Sequence, residues 1–138
     1  MGWCHSGHLL NYVPLNVKNG IHESEAIAVL QPLFETGALK IAHNYKFDYM
    51  MLNRAGLEIS GTVFDTMVAG YLIDANQKLK MDTLSKKYLN YEPISIEKLD
   101  RLRSKAKNYG SNSAARGRLP PMPVQEDADI TLRLYEGT

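Results

Sequence analysis

The chain has 138 residues, 44% of them hydrophobic, which suits a single small domain with a modest core. Its formal net charge of +1 argues neither for nor against nucleic acid, and its one cysteine, Cys4, excludes a disulfide framework and fits a reducing cytosol. No apolar run approaches the length of a membrane span, and Met1-Gly2-Trp3-Cys4-His5 lacks the regions of a signal peptide, so a cytoplasmic chain without a membrane partner is expected.

The chain opens as a hairpin with Gly7 in the turn, a very short first strand, and a second strand over Leu9 to Leu15 that Pro14 terminates. His22 to Phe34 reads as an amphipathic helix: Ile27, Leu30 and Phe34 share a face, Glu23 and Glu25 occupy the first turn, and Pro32 bends the last. Gly37 ends it. Ala38 to Ile41 is a short buried strand, followed by a helix from Tyr45 to Ala55 that stacks Phe47, Met51 and Ala55 and stops at Gly56. Thr62-Val63-Phe64 is the next strand, leading through Asp65 into an apolar helix, Thr66 to Ile73, expected to be mostly buried. Asp82 reads as the N-cap of a helix through Leu84 to Leu89, and Tyr91-Glu92-Pro93 as a turn. Glu126 to Glu136 closes the chain as a helix carrying Ile130, Leu132 and Leu134.

Asn44 and Asp48 stand four residues apart where a helix begins, so their side chains share a face. The preceding strand puts them at its carboxyl end, where open α/β sheets place their sites. The spacing alone is weak evidence, because a capping Asn beside a solvated Asp accounts for it more often than a site does.

Several segments in order carry a resemblance. Asn44-Tyr45-Lys46-Phe47-Asp48, Phe64-Asp65-Thr66-Met67 and Glu126-Asp127-Ala128-Asp129-Ile130-Thr131-Leu132 resemble the second exonuclease motif, the element after it and the core of the third motif in the 3'-5' exonuclease (proofreading) domain of bacterial family A DNA polymerases, the DNA polymerase I type. Met81-Asp82-Thr83-Leu84-Ser85-Lys86-Lys87-Tyr88-Leu89 is also similar. The resemblance covers roughly residues 9 to 99 and the final helix. It implies an α/β, RNase H-like exonuclease fold, a mixed sheet flanked by helices, here with the first strand missing.

In that family a phosphodiester is cleaved by two divalent metals about 4 Å apart, one generating the attacking hydroxide and the other stabilising the leaving 3'-oxygen. Hard oxygen ligands suit Mg²⁺ or Mn²⁺. The resemblance implies four acidic ligands, of which this chain supplies Asp48 and Asp127 as catalytic and metal-binding residues. Asn44 and Phe47 would flank the 3'-terminal nucleotide of single-stranded DNA, and a polymerase domain would be the partner in the full-length family.

Each assignment competes with a plainer one. Asp127 and Asp129 lie in the first turn of a helix, where the macrodipole favours acids without any metal; the resemblance makes Asp127 the ligand and Asp129 structural. Asp65 is better read as the cap of the helix at Thr66 than as a direct participant. His43 is a packing or surface residue, and the family uses no histidine there. Tyr71, Tyr88 and Tyr91 could stack on bases, but such aromatics more often belong to the core.

No Asp-x-Glu, the family's first motif, stands ahead of the hairpin. The strand that bears it in the family joins the hairpin to the later parallel strands, so the chain is expected to be marginally stable and inactive as a nuclease.

Residues 1–99 therefore form an N-terminally truncated exonuclease-like domain, 100–125 an aberrant basic linker, and 126–138 the helix of the third motif. The linker sets Arg101, Arg103, Lys105, Lys107, Arg116 and Arg118 among Ser, Gly and Pro, and is expected to be disordered. Its codons, read with single bases removed, permit stretches that resemble the family, as a frameshift would leave. The family's tyrosine, four residues before the third-motif Asp, is replaced by Pro123. A detached proofreading exonuclease, a catalytically inactive nucleic-acid-binding or structural module, and a non-functional gene fragment are the alternatives, with a ribonuclease D-like exonuclease as a related one.

Overall fold

A computed structural model of the chain describes residues 2–5, 9–13, 15, 20–94 and 123–137. The described elements are β1 (Gly2–His5), β2 (Leu9–Tyr12), α1 (Glu23–Glu35), β3 (Lys40–Ala42), α2 (Tyr45–Arg54), β4 (Val63–Asp65), α3 (Thr66–Ile73), α4 (Met81–Leu84) with a π-helical turn after it (Ser85–Leu89), and α5 (Pro123–Gly137). β1 and β2 pair antiparallel, from Gly2 opposite Tyr12 to His5 opposite Leu9. β3 and β4 pair parallel, from Lys40 opposite Val63 to Ala42 opposite Asp65, with α2 as the crossover that a parallel pair requires. Both senses of pairing expected of the mixed sheet are present, divided between two two-stranded sheets that no described strand joins.

α5 holds these parts together. It packs against β1, β2 and β3 and against α3, α4 and the π-helical turn. Ile130 and Leu134, four residues apart and so on one face, meet Leu84 to form the buried core cluster, with Met81, Tyr88 and Leu89 around it. Gly70 lets α3 approach this cluster, since a Cβ there would lie 3.2 Å from Leu84 Cδ1. Ala26 and Leu30 of α1 and Leu57 are buried as well. Lys40 ties the end of α1 to the loop before β4, donating to the carbonyls of Thr36 and Ser60.

Several expectations are corrected. The second strand ends at Tyr12, while Leu15 makes an isolated bridge to Ile21; Gly7 lies outside the described residues. α1 buries Ala26 and Leu30, whereas Ile27 and Phe34 are half-buried, so the buried stripe is turned by one residue. β3 starts at Lys40 and is half-buried along its length, because a two-stranded sheet gives it one neighbour.

α3 is not mostly buried. Only Thr66 and Gly70 are, and Val68, Tyr71, Leu72 and Ile73 are exposed, Leu72 by 78%. Apolar composition signals a helix meant to be covered, and no described element lies over that face. Asp82 is not an N-cap: Lys80 holds that position, and Asp82 falls in the first turn of α4, where the macrodipole favours an acid. The last helix starts at Pro123, a position suited to proline because its missing N–H has no helical partner there. Three residues assigned to the linker, Pro123, Val124 and Gln125, thus belong to α5, and residues 100–122 lie outside the described residues.

Candidate active site

The junction of β3 and α2 carries the first group of site residues. Asn44 is the N-cap of α2 in the left-handed region, φ 65°, a conformation asparagine tolerates better than most side chains. Its side chain makes no cap hydrogen bond. The cap comes from Asp65, whose carboxylate accepts from the Asn44 amide at 3.0 Å and the Tyr45 amide at 2.8 Å. The same carboxylate accepts from Met67 at 2.8 Å and Val68 at 3.4 Å, so Asp65 also caps α3, as expected from its place in the sequence.

Asp48 sits one turn into α2, an exposed residue whose carboxyl is nevertheless pushed above the usual carboxylate range, first by desolvation and then by the charge of Asp65. Phe47 beside it is 63% exposed, with no role in a core. His43 is a packed residue: its Nδ1 lies 2.9 Å from Thr66 Oγ1, which also reaches the carbonyl of Ala42 at 3.1 Å. Burial pushes the His43 ring below its ordinary value, against the charge of Asp65 and the Leu79 carbonyl.

The second group lies at the start of α5. Glu126 is buried and accepts from the Tyr91 hydroxyl at 2.6 Å and from the Ile94 amide at 3.2 Å, so it fastens the segment after the π-helical turn onto α5. Asp127 points outward and is also pushed up, by desolvation and then by the charges of Glu126 and Asp82. Asp129 pairs with Arg133 at 2.8 Å along the helix, consistent with a structural role.

The charge of Asp65 therefore acts on Asp48, and the charges of Glu126 and Asp82 act on Asp127. The charges that act on Asp48 and those that act on Asp127 belong to two separate surroundings, linked through β3: α2 follows it and α5 packs on it. Among the described residues no three His, Cys, Asp or Glu side chains gather closely enough to hold a metal ion. Sequence reading missed the charge of Asp82 acting on Asp127 and Asp65 as the cap of α2, since both arise only from tertiary packing.

The raised carboxyls have a measurable consequence. The folded, metal-free chain binds protons on Asp48 and Asp127 more tightly than the unfolded chain, so their contribution to stability falls as pH rises from the unfolded carboxylate range through the raised folded values. Asp48→Asn and Asp127→Asn should each raise the thermal midpoint at neutral pH by roughly 1–3 °C, and the gain should vanish near about pH 3. Thermal melts across that range check both the sign and the window.

A family model described as 3'-5' exonuclease matches residues 5–137. Over 90% of its length the chain is 36% identical to DNA polymerase I of Borreliella burgdorferi and 34% identical to DNA polymerase I of Rhizobium leguminosarum; it is 34% identical to DNA polymerase I of Treponema pallidum over 69% of its length. It spans 13% of the first two relatives and 9% of the third. A strand–helix–strand unit with parallel pairing, an antiparallel hairpin and flanking helices define an α/β domain of the RNase H-like exonuclease class. The chain belongs to the 3'-5' exonuclease family.

Proposed function

We propose that this chain carries the Asp48 and Asp127 part of a two-metal centre that removes 3'-terminal nucleotides from DNA, and that the 138 residues by themselves do not cleave. The observation that carries the reading is the β3–α2 junction, which sets Asn44, Phe47 and Asp48 at the carboxyl end of the parallel strand pair while α5, bearing Asp127, packs on β3.

The donor set fits a hard divalent cation. Both groups offer carboxylate oxygens, and both stand next to further negative charge that a cation would relieve. Asp48 and Asp127 would hold Mg²⁺ or Mn²⁺, which when bound supplies an activated water and stabilises the leaving 3'-oxygen. Phe47 offers an exposed ring on which a terminal base stacks, and Asn44 lies beside it. Residues 1–99 and the helix from Pro123 supply this site, and 100–122 join them as a basic segment drawn to DNA phosphates. In the full-length setting the partner is a polymerase domain.

Nuclease inactivity follows from the ligand count. Asp-x-Glu occurs nowhere in the 138 residues, so half of the acidic set is absent, and Pro123 replaces the phenol that would orient water. Titration with Mn²⁺, followed at both carboxylates by the paramagnetic broadening of their signals, tests the reading.

No helix among the described residues is long and apolar enough to cross a membrane.

A further inference from the structure

Four backbone amides from two helix starts converge on one side chain. The Asp65 carboxylate accepts from Asn44 and Tyr45, more than twenty positions upstream for the former, and from Met67 and Val68 of its own helix. Oδ1 takes Asn44, Met67 and Val68; Oδ2 takes Tyr45. Amides at a helix start have no partner inside the helix, and an ionised acceptor is the strongest one available. α2 has no buried residue of its own and no side-chain cap from Asn44, so packing does little to fix its first turn.

We infer that Asp65 is a positioning residue: it clamps the start of α2 to the start of α3 and thereby sets the direction in which Asp48 faces. It touches neither metal nor substrate in this role. Asparagine at 65 would present one acceptor oxygen and one amide donor to four donors, so the clamp on α2, α3 or both would open. The left-handed backbone at Asn44 belongs to the same device, because the turn there aims the Asn44 and Tyr45 amides together at the carboxylate. The inference rests on the reading of Asp48 as a metal ligand only for its functional consequence; the clamp itself does not.

Amide hydrogen exchange in the unaltered chain and in Asp65→Asn tests the clamp without any metal. Protection at Asn44 and Tyr45 is expected in the unaltered chain, falling about tenfold or more in the variant while the Ala26 and Leu30 amides of α1 keep theirs. Unprotected Asn44 and Tyr45 in the unaltered chain overturn the inference, even if Asp65→Asn proves too unstable to study. So does unchanged protection in the variant.

Added Mn²⁺ supplies the readout a merely structural role would not move. Compared at matched broadening of Asp127, broadening at Asp48 should weaken in Asp65→Asn; equal broadening at Asp48 in both proteins overturns the positioning role. Broadening absent at Asp48 in the unaltered chain, with the amides protected, instead removes the metal reading and with it the functional part of the clamp.

Discussion

Incubated with a 5'-labelled single-stranded DNA and either Mg²⁺ or Mn²⁺, the 138-residue chain should leave the 3' end intact, and Asp48→Ala should make no difference. Two-metal hydrolysis needs both ions held at once, one on the attacking oxygen and one on the leaving oxygen. Two carboxylates, each already crowded by another acid, give one incomplete cradle rather than two. Removing half of a set that acts as a unit costs close to the whole effect, commonly several orders of magnitude in rate. Gel electrophoresis of the labelled strand reads the result directly. Metal-dependent shortening that Asp48→Ala abolishes would show that the ligand count is wrong.

Ile130→Ala should destabilise the chain by about 3–5 kcal/mol, measured as a shift of the urea midpoint. Ile130 is 1% exposed and meets Leu84, 2% exposed, and Leu134, 2% exposed, in the cluster between α4 and α5. A domain of this size holds only about 5–15 kcal/mol in total, so the variant sits near the edge of folding. Since α5 is also what β1, β2 and β3 pack against, both sheets lose their support with it. Leu132→Ala, on a half-buried position of the same helix, should cost less than half as much. Equal losses at 130 and 132 would mean that α5 does not present the Ile130–Leu134 face to the core.

Much of this architecture was legible because it is local. The alternation of short strands and helices from residue 38 to 73, the glycine after α2 and the Asp65 cap of α3 are written in neighbouring residues, and each is found. Gly56 ends α2 with φ +87°, a backbone state that a side chain resists. What was not legible depends on coverage and on distant contacts. The apolar residues of α3 read as buried because composition reports what a helix would gain from a neighbour, not whether one is there. The change from α4 to a π-helical turn at Ser85 has no signal in residue type; its anchor is the Ser85 hydroxyl donating to the Tyr91 carbonyl at 2.9 Å.

The site divides in the same way. Asn44 and Asp48 follow from spacing and a strand end, and Asp127 from resemblance. The cap of α2 by Asp65 and the nearness of Asp82 to Asp127 come from parts of the chain about twenty and forty-five residues apart, which a pattern within a window cannot join. Glu126 is the opposite case: it lies in the motif beside the proposed ligand, yet its buried carboxylate is engaged by Tyr91 and Ile94.

Asp48 and Asp127 are proposed to share one divalent metal. Titration of the carboxyl-labelled chain with Mn²⁺ tests it most directly, because broadening falls off steeply with distance and reports weak binding. The Asp48 and Asp127 signals should broaden together with one midpoint, and Asp48→Asn should weaken the broadening at Asp127. Broadening at one carboxylate alone, or at both with unrelated midpoints, would contradict it.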